Sequence, residues 1–389
     1  MTQIIEETQL DYCDVLLKPK RTTLNSRSEP NIYRDYKFKW TDKVITGNGL
    51  MVANMATTGT FEMAEVMAKN LMFCCLQKHY SFEEIKSFLE RHEDELIGND
   101  VYKPELSFLD YVFISTGIKD GDYEKICKIL DLGLCKNLCI DIANGYIPNL
   151  ITFVKKIREK YSDLVIMVGN VVTGEMVQDL ILSGADICKC GIGGGQNCVT
   201  RKETGCGRPQ LSTIIECSEA AHCVGGMICA DGGINCSGDI VKAYGAGADF
   251  IMVGGLVAGT DEAAGEIITK CYRTGEYSIS EETNNFNDII SQPGKPQYIM
   301  PQYKLAYGMS SKFAQDKHWG GMNNYRTSEG IVTLKPYIGS VQNIIDNYLG
   351  GLRSAMTYIG ARRLKDIPRC ATFYKVNRIL NNDGKGIWC

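Results

Sequence analysis

The chain has 389 residues, 44% hydrophobic and 23% charged, with a formal net charge of −4. That balance is ordinary for a globular protein with a sizeable core. It carries no long basic run, which argues against a nucleic-acid or anionic-membrane surface, so an anionic small molecule would have to be held by local groups.

The opening MTQIIEETQLDYCDVLL puts acidic residues where a leader's apolar segment would lie, and no apolar run reaches the roughly 18 residues of a membrane span. A cytoplasmic protein with no membrane partner is expected. The 17 cysteines are irregularly spaced and the histidines (His79, His92, His222, His318) lie far apart. That pattern fits a reducing compartment in which most cysteines act as small core hydrophobes, and it lacks the spacing of a structural zinc site.

Short apolar, β-rich runs then recur: LMVAN (50–54), LMFCC (71–75), YVFIS (111–115), LCIDIA (138–143), VIMVGN (165–170), DICKCG (186–191), MICAD (227–231) and FIMVGG (250–255). Between them, 60–70, 81–93, 122–133, 147–161, 174–184, 209–222 and 238–247 show apolar residues at helical spacing, several ending on glycine. Strands buried on both faces and alternating with helices imply a parallel sheet. Eight such units between residues 50 and 255 predict a closed (β/α)8 TIM barrel. The rival, an open dinucleotide-binding sheet, needs a glycine fingerprint between strand and helix. GAGADF (245–250) follows a helix and precedes a strand, and it lacks the third glycine. The polar stretch 272–302, with two prolines, predicts a surface excursion.

In such a barrel the active site lies on the loops that follow the strands. GIGGGQNCVTRKETGCG (191–207) follows the sixth strand and places Cys198 at that mouth. Carbonyls turned inward by Gly193 and Gly195 could bind a monovalent cation. Asp231-Gly232-Gly233 and Gly254-Gly255 end strands seven and eight, where barrels bind phosphate and where glycine lets backbone N–H groups approach the oxygens. A carboxylate at Asp231 makes sense if it accepts hydrogen bonds from ribose hydroxyls, which points to a nucleotide. In YGMSS (307–311) and NYRTSEG (324–330), Ser310 and Arg326 could add donors and Glu329 could handle a proton, although spacing alone favours a solvated polar loop.

Taken together, DVLLKPKRTTLNSRSE (14–29), QKHYSFEE (77–84), CIDIANGY (139–146), CVTRKETGCGRPQLS (198–212), ADGGINCSGDIVKAYGAGADFIMVGG (230–255), YKLAYGMSS (303–311) and YRTSEG (325–330) resemble the guanosine monophosphate reductase branch of the inosine monophosphate dehydrogenase/reductase family. The resemblance runs in order over most of the chain. It implies one catalytic barrel domain over 1–389. QKHYSFEE runs on with no space for the long CBS regulatory domain of the dehydrogenases.

The resemblance further implies NADPH-dependent reductive deamination of GMP to IMP and ammonia through a covalent thioimidate at purine C2. Cys198 matches the nucleophile, and Thr200 and Glu329 the pair that manages protons. Asp231, Gly232, Gly233, Gly254, Gly255, Gly308, Met309, Ser310, Arg326, Ser328 and Gly330 match nucleotide contacts. Ser26, Arg27, Lys78, Asp141, Ile142, Ala143, Ile192 and Gly193 match NADPH contacts. Gly193, Gly195, Cys198 and Arg201 match a potassium site, and the family suggests a homotetramer.

Three departures bear on substrate choice. The family loop reads Pro-Gly-Ser-x-Cys where this chain has Gly194-Gly195-Gln196-Asn197-Cys198. The family's Met-Asp-Thr is Met55-Ala56-Thr57, and the 272–302 insert is longer than expected. The competing readings are an IMP dehydrogenase without its regulatory insert, a reductase of another purine nucleotide, and a nucleotide sensor. The sensor would predict loss of Cys198, Thr200 or Glu329, and all three are present.

Overall fold

The computed structural model describes residues 3–98, 105–274, 297–324 and 327–376. Eight strands form a closed barrel in sequence order: β1 Leu50–Val52, β2 Phe73–Leu76, β3 Val112–Thr116, β4 Asn137–Asp141, β5 Val165–Val171, β6 Ile187–Cys190, β7 Met227–Asp231 and β8 Phe250–Val253. All pair in parallel, and β8 closes onto β1 with Ile251 opposite Leu50. Each of the eight apolar runs became a barrel strand because nearly every residue in them is buried. The surrounding helices are α1 Phe61–Lys69, α2 Phe82–Arg91, α3 Asp120–Leu130, α4 Pro148–Lys160, α5 Gly174–Leu182, α6 Gln210–Cys223, α7 Ser237–Gly245 and α8 Val341–Ile359. This is the (β/α)8 barrel that the sequence predicts.

An antiparallel hairpin, Arg34–Lys37 with Val44–Gly47, closes the end where the strands begin. Its Tyr36 ring stacks on Phe250 at 4.4 Å and meets Phe73 edge-on. The open mouth is therefore at the other end, where the strands finish. Of the 16 described cysteines, half are buried and five are exposed, fewer in the core than the composition suggests.

The long connection from β8 to α8 folds over the mouth. Its strands Ile267–Thr269, Gln302–Tyr307 and Val332–Pro336 form an antiparallel sheet, with the helix Lys312–Trp319 between the last two in chain order. The stretch read as an excursion begins and ends as paired strands, Tyr272–Thr274 with Gln297–Ile299. Residues 275–296 lie outside the described residues.

Asp249, at the start of β8, gathers the closed end. It accepts from the Ile228 amide (3.0 Å) and from His222 Nε2 (2.8 Å), and it pairs with Arg34 (3.3 Å). The hydrogen bond to Asp249 raises the His222 imidazole above its usual 6.5, against burial and the Arg34 charge. A raised folded-state value stabilises the fold fully below pH 6.5, and that contribution is lost as pH rises through the raised value. His222→Gln should therefore remove about 0.5 kcal/mol at pH 6 and less at pH 8, read as a flatter melting temperature against pH. An unchanged pH slope would contradict this.

Candidate active site at the barrel mouth

The loop after β6 has a backbone that only glycine tolerates where it leaves the barrel. Gly191 lies at φ 146°, and a Cβ there would collide with the carbonyl of Asp231. The loop is pinned to the one after β7 by the Gly233 amide donating to the Gly194 carbonyl at 2.8 Å. It is pinned to the flap by backbone pairing of Cys198 with Gly330. Val199 N donates to Glu329 O at 2.9 Å and Ile331 N to Asn197 O at 3.0 Å.

That pairing brings together residues far apart in sequence. The half-buried Cys198 thiol donates to Thr200 Oγ1 at 3.2 Å, and Thr200 Oγ1 donates to Glu329 Oε2 at 2.7 Å. A nucleophile, a hydroxyl and a carboxylate thus form one hydrogen-bonded line, the geometry required of an activated thiol with a proton relay. Spacing alone favoured a solvated loop around Glu329; the structure places it in this line.

Behind the line stands a charged cluster in which Asp141 and Asp231, both named from the sequence, are joined by Lys189, which was not. Lys189 on β6 points into the barrel. It pairs with Asp141 Oδ1 at 2.5 Å and Asp231 Oδ2 at 3.0 Å, and its side chain is 4% exposed. Burial alone would lower the ammonium's pKa, but Asp141 and Asp231 outweigh it and hold Lys189 well above the ordinary lysine value. Burial raises the Asp141 carboxyl, and Lys189, Lys78 and Asn54 bring it below the usual carboxylate range. Asn170 Nδ2 donates to the same Asp231 oxygen at 2.9 Å. Asp231 is therefore fixed by Lys189 and Asn170. The available signal was a lysine inside the strand run DICKCG.

The glycines line the neighbouring corner. Gly232 and Gly233 sit at φ 103° and 79°. Gly255 lies under the side chain of Gln196. From the flap, Gly308 N donates to Ile331 O at 3.1 Å, and Glu329 N donates to Ser310 O at 3.2 Å. Ser328 Oγ donates to Gly330 O at 3.0 Å and accepts from Lys312 N at 3.0 Å. The Met309 sulfur lies 3.3 Å from the Ala56 amide, so the altered Met55-Ala56-Thr57 turn lies directly beneath the flap. Arg326 lies outside the described residues.

On the β2 side, Lys78 Nζ lies 5.6 Å from the centre of the Trp319 ring, and His79 stacks on His318 at 4.1 Å. Burial, with His318, Lys78 and Lys125 nearby, pushes His79 down to about 4, and its Nε2 is buried without a hydrogen-bond partner. Ile142 N donates to Gly169 O at 3.0 Å, which holds the β4 loop, and Ala143 beyond it is exposed. In the β6 loop Gly193, at φ 81°, packs on the Arg201 side chain, and Ile192 beside it is half-buried. Arg201 faces away from the thiol, pairing with Asp11 at 3.2 Å and the Arg208 carbonyl at 2.5 Å. Ser26 and Arg27 are exposed, and Ser26 is bonded within its own segment to Ser28 and Glu29. Their segment is fastened at the closed end by Arg353 to the Pro30 carbonyl (3.0 Å) and by Asn48 to that of Ile32 (2.8 Å).

Residues 9–384 match the family model described as IMP dehydrogenase / GMP reductase domain. The chain belongs to the IMP dehydrogenase/GMP reductase family. Among curated relatives, it is 45% identical over 382 residues to GMP reductase 1 of Mus musculus, covering 98% of this chain and 99% of that protein. It is 43% identical to GMP reductase of Vibrio atlanticus, covering 98% of each. It is 42% identical to GMP reductase of Ascaris suum, covering 98% of this chain and 97% of that one. Membership is consistent with the site, since the thiol, hydroxyl and carboxylate matched by resemblance are the three groups found in line.

Proposed function

We propose that this family member is a GMP reductase, converting GMP to IMP and ammonia with NADPH. The observation that carries the reading is the line Cys198–Thr200–Glu329 at the mouth. In this reading the Cys198 sulfur adds to purine C2 while its proton passes through Thr200 to Glu329. The same relay returns protons to the C2 amine, which leaves as ammonia once protonated and gives a thioimidate on Cys198. NADPH, when bound, supplies the hydride that reduces C2, after which the C2–S bond breaks and IMP departs. Asp231, held by Lys189 and Asn170, is a pre-oriented acceptor for the ribose hydroxyls. Gly232, Gly233, Gly254, Gly255, Gly308, Met309, Ser310, Arg326, Ser328 and Gly330 complete the nucleotide site.

The residues present suit the cofactor. Lys78 offers a cation for its phosphates beside an unpartnered His79 nitrogen and lies near enough to Asp141 to lower its pKa; Ile142 and Ala143 follow β4, and Ile192 and Gly193 would meet the cofactor from the loop after β6. Ser26 and Arg27, exposed on the segment that leads to the closed end, would serve the cofactor of a neighbouring copy, in keeping with a homotetramer. For potassium, the donors would be the carbonyls of Gly193, Gly195, Cys198 and Arg201. Those of Gly195 and Arg201 each accept one backbone hydrogen bond and keep a free lone pair. Neutral carbonyl oxygens are suitable ligands for an alkali cation. We place the enzyme in the cytoplasm, as one barrel domain without a CBS regulatory unit; among the described residues no helix is long and apolar enough to cross a membrane.

The test follows NADPH absorbance and ammonia release with GMP, then repeats with IMP and NAD. Equimolar NADPH loss and ammonia with GMP support the reading; turnover only with IMP and NAD would replace it by the dehydrogenase. Thr200→Val and Glu329→Gln should each lower kcat about 10²- to 10³-fold, with GMP binding changed by no more than about three-fold. Unchanged kcat in either variant would remove it from the relay.

A further inference from the structure

The corner formed by the loops after β6, β7 and β8 carries a polar clamp not assigned above. Gln196 reaches across it. Its Nε2 donates to Asn235 Oδ1 at 2.7 Å, and its Oε1 accepts from Lys335 Nζ at 2.5 Å. The same Oε1 lies so close over Gly255 that a Cβ there would collide with it. Lys335 comes from the flap strand Val332–Pro336, whose neighbouring Thr333 Oγ1 donates to Asn197 Oδ1 at 3.0 Å and locks the strand to the loop.

One cation at this corner, Lys335, has no charged partner among the described residues. Burial pushes the Lys335 ammonium below the ordinary lysine value, and among the described residues no carboxylate is shown paired with it. Its partner across the ladder, Lys304, is accounted for separately: its ammonium is tied to the carbonyls of Asp261 and Ala263 and feels the Asp261 and Glu262 carboxylates. The group that holds Lys335 in place is a neutral amide oxygen, a weaker acceptor for an ammonium than a charged phosphate oxygen.

We propose that Lys335, positioned by Gln196, is a specificity-determining residue that reads the second negative charge of the nucleotide's 5′-phosphate. In this chain the glutamine of that lysine–glutamine pair occupies the loop position where the family carries serine. This rests on the purine-mononucleotide reading above. On binding, a phosphate oxygen replaces Gln196 Oε1 as the acceptor of Lys335, while Gln196 Nε2 remains available as a donor.

The test is calorimetric binding of GMP, of guanosine, and of the singly charged methyl ester of GMP to the full chain. The wild type should prefer GMP over the ester by about ten-fold. Lys335→Met should weaken GMP about ten-fold, leave guanosine unchanged and erase the preference over the ester, with GMP's KM rising far more than kcat falls. Lys335→Arg should stay within about three-fold of wild type. Equal affinity of the wild type for GMP and the ester, unchanged GMP binding in Lys335→Met, or equal weakening of guanosine would overturn the proposal. A wild type that binds no purine mononucleotide would instead bring down the functional reading itself.

Discussion

Cys198→Ala should abolish GMP turnover, lowering kcat by about 10⁴-fold or more, while GMP still binds within a few-fold of wild type. The sulfur forms the only covalent bond to substrate in the proposed reaction, and no neighbouring group can replace it. Thr200, 3.2 Å away, is a hydroxyl engaged with Glu329. The other described cysteines do not take part in this line, and eight of them are buried. Binding survives because Asp231 and the glycine corner are held by Lys189, Asn170 and backbone bonds that do not involve the thiol. Single-turnover kinetics with NADPH in excess read the first effect and calorimetry the second. Activity within about ten-fold of wild type would remove Cys198 from the reaction.

The second large effect is expected at Lys189. Replacing it by Met leaves Asp141 and Asp231 facing each other inside the barrel with their shared cation gone. Breaking a buried pair in this way costs about 3–5 kcal/mol, because an uncompensated charge remains. Chemical denaturation should show a loss of that order. The triple variant Asp141→Asn, Lys189→Met, Asp231→Asn should recover most of it, since removing all three charges together leaves none unpaired. Activity should not return with stability, because Asp231 is also the proposed ribose acceptor. A single variant as stable as wild type would mean that the cluster contributes nothing to the fold.

Apolar runs such as VIMVGN and FIMVGG could be read from the sequence because strands buried on both faces leave no polar alternation to confuse the pattern. α8 was not read. Its Gly350-Gly351 pair interrupts an otherwise amphipathic Val341–Ile359, yet Gly351 is there because a Cβ would collide with the Ser237 side chain where α8 packs on α7. The flap was also hidden. Gln302–Tyr307 carries a buried lysine, Lys304, satisfied by carbonyls more than 40 positions away in sequence, which local periodicity does not register.

The site divides in the same way. Cys198 was legible from the glycines around it, because the strained conformation at Gly191 has a local sequence signature. Glu329 could be named as a proton carrier from its segment, but only the resemblance paired it with Thr200, since that contact depends on pairing between loops 129 positions apart. Gln196 was noted as a departure, but its partner Lys335 lies 139 positions away and gave no signal.

The central claim is that a sulfur–carbon bond forms between Cys198 and purine C2. The most direct measurement is peptide mass spectrometry of enzyme quenched during turnover of GMP. The result expected is a purine mononucleotide adduct, minus ammonia, on the peptide that carries Cys198. Steady turnover with that peptide unmodified, or an adduct on a different cysteine, would contradict the account.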